Sequence, residues 1–152
     1  NKNSNLLGSI KCPQIDEKTQ DRIIFLLNNT TDKNIAEKGD IFKQILEPKY
    51  YDYFTYYLVI SRVSVEKNNH LIYSEMLDRI GHRELDVNVL KMTYRGIHLI
   101  IAAQNELSTN ERTLLRNFGI WLGCLTLRKN KPILRKQLDL KASLSCFPSF
   151  FF

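Results

Sequence analysis

Apolar residues recur at three- and four-residue steps along most of the chain, the period of a helix with one face turned inward. The most fully specified element runs from Ser108 to Leu134. Ser108 stands three residues before Glu111, the spacing at which a serine hydroxyl and a glutamate side chain each cover a free N–H of a helix's first turn. From that cap, Leu115, Phe118, Leu122 and Leu125 form a stripe widened by Leu114 and Trp121, with Arg112, Arg116 and Asn117 falling off it. The pattern predicts a helix that runs into the basic string Arg128, Lys129, Asn130, Lys131 and stops at Pro132, whose ring cannot continue the hydrogen-bond ladder. Trp121 is expected in the core. Gly119 and Gly123, four residues apart, predict the close approach of a second helix backbone.

Five further elements precede it. Asp16 caps a helix carrying Ile23, Leu26 and Leu27, stopped by the polar run Asn28-Asn29-Thr30-Thr31. A second helix from about Asp32 turns Ile35, Phe42, Ile45 and Leu46 inward and ends before Pro48. The aromatic stretch from Tyr50 alternates like a strand, but Phe54, Tyr57, Leu58 and Ser61 also fit a helix stripe, and its neighbours are helical, so the reading is helix, closed by Val63-Ser64-Val65. Asn68-Asn69 leads into a helix from His70 to Ile80 stopped by Gly81. The next predicted seam is Val87, Leu90, Tyr94, Ile97 and Ile101, with Gly96 admitting a neighbouring helix.

Six helices joined by short polar links, with no convincing strand, make an all-α chain. Successive short links favour antiparallel pairs, and roughly three pairs of about forty residues each match a HEAT-like helical-hairpin solenoid, with a globular helix bundle as the alternative. A polar lead, 1–15, precedes the repeat region at 16–141.

Composition narrows the function. A chain of 152 residues that is 43% hydrophobic and 25% charged has the balance of an ordinary globular domain, and no apolar run is long enough for a membrane span. Cys12, Cys124 and Cys146 are odd in number and lack zinc-ligand spacing, so the simplest reading is a reduced intracellular protein. The sequons at Asn28 and Asn29 are chance matches in an Asn-rich chain. A net charge of +6 admits a basic RNA-binding helical module as a second reading, although the cations are spread over many segments rather than gathered on one face. No phosphate-cradling glycine loop, nucleophile elbow or metal-ligand pair occurs, so no catalytic, cofactor or metal residue is assigned. His70, His82 and His98 stand apart and read as surface or helix-end residues. Arg62, Glu66, Tyr94, Arg95 and the basic string read as exposed.

The runs Tyr57-Leu58-Val59, Arg62-Val63-Ser64-Val65-Glu66, Leu114-Leu115-Arg116-Asn117, Trp121-Leu122-Gly123, Thr126-Leu127, Lys129 to Leu134 and Leu138-Asp139 together resemble the large scaffold subunit of the Ccr-Not messenger-RNA deadenylase complex. The likeness lies in its central domain, which is similar to the middle domain of eukaryotic initiation factor 4G and is built of HEAT-like helix pairs. It extends from about Asp16 to Lys141.

The resemblance implies a non-catalytic scaffold without a cofactor. It holds a Caf-type deadenylase on one face and a DEAD-box helicase of mRNA repression and decapping on another, joins other Ccr-Not subunits, and reaches mRNA indirectly. The place implied is the cytoplasm, with a nuclear fraction and no membrane association. For the helicase the matching segment carries Arg62, Glu66, Asn69, His70 and Tyr73, with Asn69 standing where the family pattern leads one to expect an apolar residue. For the deadenylase the candidate patch is Tyr94, Arg95 and His98. After Lys141 the pattern departs into the Phe- and Ser-rich run at 142–152, which reads as translated intron sequence, leaving a solenoid truncated at its C-terminal side.

Overall fold

The computed structural model describes residues 6–103 and 107–139, and among them it is helical, without a strand. The tail at 142–152, with Cys146, lies outside the described residues. The helices are α1 (Glu17–Asn28), α2 (Ile35–Ile45), α3 (Tyr51–Tyr56), which continues as a π-helical stretch Tyr57–Val63, α4 (His70–Ile80), α5 (Arg83–Ala102) and α6 (Thr109–Leu125). Three of the predicted helix ends have the expected chemistry. The Thr19 N–H donates to Asp16 Oδ1 at 2.9 Å, Gly81 closes α4 with φ +67°, and Ser108 and Glu111 cap α6 reciprocally at 3.3 and 2.8 Å.

Helices pack on their second neighbours. Helix α2 lies on α4, α4 on α6 and α3 on α5, while the Tyr57 hydroxyl reaches back to Asn28 at the end of α1. Odd helices thus form one layer and even helices the other, with α5 and α6 also packed as a hairpin. That is the stacking of a HEAT-like solenoid rather than of a bundle closed around one axis. The lead is not a bare spacer: a 3-10 turn, Leu6–Ser9, rests on α5 and buries Leu7, with Ile10 buried just beyond.

Several predicted faces are corrected. The α5 seam is partly turned from the apolar reading: Tyr94 and Ile97 are buried as predicted, together with Leu85, Val89, Thr93, Gly96 and Ile100, whereas Val87 is exposed and Leu90 and Ile101 are half-buried. Counting only apolar residues missed Thr93, which faces α6, while Gly96 admits that neighbouring helix as its lack of a side chain predicts. The Trp121 indole N–H donates to Thr93 Oγ1 at 3.1 Å, and the Phe118 ring lies over Gly96. Asn117, expected off the α6 stripe, is buried because its amide donates to the Ser64 carbonyl at 2.7 Å. Helix α6 ends at Leu125, not at Pro132. Thr126 leaves helical geometry, its hydroxyl bonds the Leu122 carbonyl, and Asn130 adopts φ +55° beyond the 3-10 turn Leu127–Lys129. Among the described residues no second helix meets Gly119 or Gly123, since a Cβ at either would find nothing within 4 Å.

The glycines give a paired prediction. A Cβ at Gly96 would stand 2.7 Å from Cζ of the fully buried Phe118, so Gly96→Ala should destabilise the fold by about 1–3 kcal/mol despite the better helix former. Gly119→Ala, in open space, should stabilise it by roughly 0.5–1 kcal/mol. Urea denaturation of both variants checks the opposite signs.

Candidate partner-docking face

The π-helical stretch ends where two layers meet. The last carbonyls of a helix have no partner within it, and here two consecutive ones are taken by side chains from other helices. His70 Nε2 donates to the Val63 carbonyl at 2.8 Å, and Asn117 Nδ2 to that of Ser64. The chain then turns outward, leaving Val65 65% exposed, and passes through a 3-10 turn, Lys67–Asn69, into α4.

Above these buried bonds lies a half-exposed network. Arg62 Nη2 meets Glu66 Oε1 at 3.0 Å, the Tyr73 hydroxyl donates to Glu66 Oε2 at 2.7 Å, and Asn69 Nδ2 donates to the same oxygen at 3.2 Å. Arg62 Nε reaches the Tyr73 hydroxyl at 3.4 Å. Burial, and then the bond to Glu66, push the Tyr73 hydroxyl above its ordinary range. Beside the network a groove of about 500 Å³ is walled by Val65, Glu66, Lys67, Asn68 and Asn69 on one side and by Thr113, Arg116 and Asn117 of α6 on the other.

The structure therefore brings Arg62, Glu66, Asn69, His70 and Tyr73 together, but at two depths. Arg62, Glu66 and Asn69 are accessible to a partner. Tyr73 and His70 are each 1% exposed, so the surface reading of His70 is corrected: its ring lies edge-on to Trp121, 5.6 Å between centroids. The second patch is likewise split. Arg95 and His98 are exposed on α5, His98 Nε2 donating to the Gln137 carbonyl at 2.7 Å. Tyr94, placed in the α5 seam by its periodicity and on the surface as a partner-patch candidate, is buried as the seam predicts, and burial raises its hydroxyl's pKa. The basic string does not stand free either. Arg128 meets Glu75 at 3.6 Å and Lys129 meets Asp78 at 2.5 Å, because α6 ends alongside the acidic outer face of α4. Sequence reasoning missed Asn117 and the α6 wall of the groove. The available signal was an amide one turn before Trp121, at the edge of an apolar stripe.

A stack of helix pairs with a polar face beside a groove places the chain among helical-repeat proteins, a class that works by presenting extended surfaces. More narrowly, the chain belongs to the CAF1-binding domain family of CCR4-NOT transcription complex subunit 1, whose pattern matches residues 11–146. It is 33% identical over 124 residues to the general negative regulator of transcription subunit 1 of Saccharomyces cerevisiae, covering 82% of this chain and 6% of that protein. It is 37% identical over 129 residues to the Schizosaccharomyces pombe protein of the same name, covering 84% of the chain and 6% of the relative. The CCR4-NOT transcription complex subunit let-711 of Caenorhabditis elegans is 34% identical over 136 residues, 84% of this chain and 5% of that one. The chain thus spans a small fraction of the relatives it matches.

His70 supplies a pH prediction. A carbonyl only accepts, so Nε2 carries the proton and Nδ1 is a buried acceptor with no hydrogen-bond partner among the described residues. Burial lowers the His70 pKa below 6.5, outweighing the bond to Val63 and the nearby Glu66. On acidification the unfolded chain takes up this proton near pH 6.5 and the folded chain only lower, so stability is full above that value and falls as pH drops below it. The urea midpoint should decline between pH 7.5 and 5.5, and His70→Gln should flatten the decline.

Proposed function

We propose that this domain is a non-catalytic docking platform that recruits a Caf1-type deadenylase and, on a separate face, a DEAD-box helicase into a CCR4-NOT assembly for mRNA decay and repression. The observation that carries the reading is the family match, which spans 11–146 and is described by CAF1 binding. The geometry supports two faces. Arg95 and His98 stand outward on α5 of the odd layer, and the Arg62–Glu66–Tyr73 network borders the groove against α6 of the even layer. Each face offers charged groups around a buried aromatic, the composition on which a few anchors carry an interface. Other Ccr-Not subunits are further partners, mRNA is reached through the bound enzymes, and the site of action is the cytoplasm with a nuclear fraction.

The pairing of Arg128 and Lys129 with Glu75 and Asp78 supports this reading over a basic RNA-binding module, because two of the three cations in the densest run already have acidic partners. Calorimetric titration of the chain with a recombinant Caf1-type deadenylase and with the helicase tests it. Arg95→Glu should weaken the deadenylase about tenfold and spare the helicase, and Arg62→Glu should do the reverse with the fold intact. Unchanged affinities in both variants, or RNA binding that falls steeply with salt in the absence of either protein, would overturn the reading.

A further inference from the structure

The residues that hold the helicase face in shape are not the ones that line its charged rim. The loop between the π-helical stretch and α4 is anchored by two side chains from later in the chain, one per helix and one per carbonyl. His70 of α4 takes Val63 O, and Asn117 of α6 takes Ser64 O. Both donors are almost wholly buried, and the Ser64 hydroxyl is turned back to the Ile60 carbonyl at 2.5 Å, so it does not compete. Releasing either bond leaves a buried carbonyl bare and lets the chain leave the π turn in another direction. That exit direction decides whether Val65 faces outward and whether Glu66 comes back over Arg62 and Tyr73.

We propose that His70 and Asn117 are positioning residues for this docking face: a two-point clamp that orders residues 65–69 as the wall of the groove before any partner arrives. This rests on the helicase-docking reading above. A loop already ordered spares the partner the entropy of ordering it. The clamp also joins the two faces through the core, since Asn117 and Trp121 lie one turn apart on α6 and Trp121 is bonded to Thr93 of α5.

The experiment uses the whole chain with Asn117→Asp, an isosteric change that replaces the donor with an acceptor facing a carbonyl, beside His70→Leu and His70→Gln, the last of which keeps an N–H. Amide hydrogen exchange is measured without a partner. Asn117→Asp and His70→Leu should quicken exchange at residues 65–69 about tenfold over any change in α1 and α2, and His70→Gln should restore the slow rate. Exchange that is unchanged, or faster everywhere alike, overturns the clamp whatever the partner proves to be. With the recombinant helicase as probe, Asn117→Asp should weaken binding about tenfold while deadenylase affinity holds. Equal helicase affinity for wild type and Asn117→Asp would remove the positioning role. A wild-type chain that binds no helicase refutes the docking reading, and the exchange rates then still decide the clamp.

Discussion

Trp121 is the residue on which the arrangement turns. Its indole has no exposed surface, its N–H reaches Thr93 on α5, and its ring meets the His70 edge on α4. A large aromatic with one polar atom can be buried without penalty only where that atom finds a partner. Meeting that condition fixes the rotation of α5 about its axis. Once Thr93 faces α6, Gly96 faces Phe118 one turn later, and the outward ridge that carries Arg95 and His98 is determined as well.

The same residue orders the opposite face. Trp121 packs on His70, whose other contact holds the end of the π-helical stretch, and Asn117, one turn earlier on α6, holds the next carbonyl. A helix that ends inside a stack must hand its last carbonyls to some donor. Here the donors come from the even layer, so layer packing and loop shape are one constraint rather than two. The polar network of Arg62, Glu66, Asn69 and Tyr73 sits over that junction, where its geometry is supported from below.

Much of this was legible in the sequence. The caps at Asp16 and Ser108, the stop at Gly81, the burial of Trp121 and the all-helical stack each follow from local chemistry that acts within a few residues. The misses have a shared cause. Thr93, Asn117 and His70 are polar residues buried against partners that apolar periodicity cannot register: Trp121 lies 28 residues from Thr93, Ser64 lies 53 from Asn117, and His70, bonded to Val63 only seven residues back, is enclosed by the ring of Trp121 on α6. Gly119 and Gly123 failed in the opposite way: small residues permit close approach but do not require it. The basic string looked free because its acidic partners, Glu75 and Asp78, belong to another helix.

What the account asks of the molecule is that two partners use two faces of one small stack, α5 outward on the odd layer and the α4–α6 junction on the even one. The most direct measurement is the mass, by analytical ultracentrifugation, of the species formed when this chain is mixed with a recombinant Caf1-type deadenylase and the DEAD-box helicase together. A single species holding one copy of each is predicted. Mutual displacement, with only binary complexes at any ratio, would contradict the account.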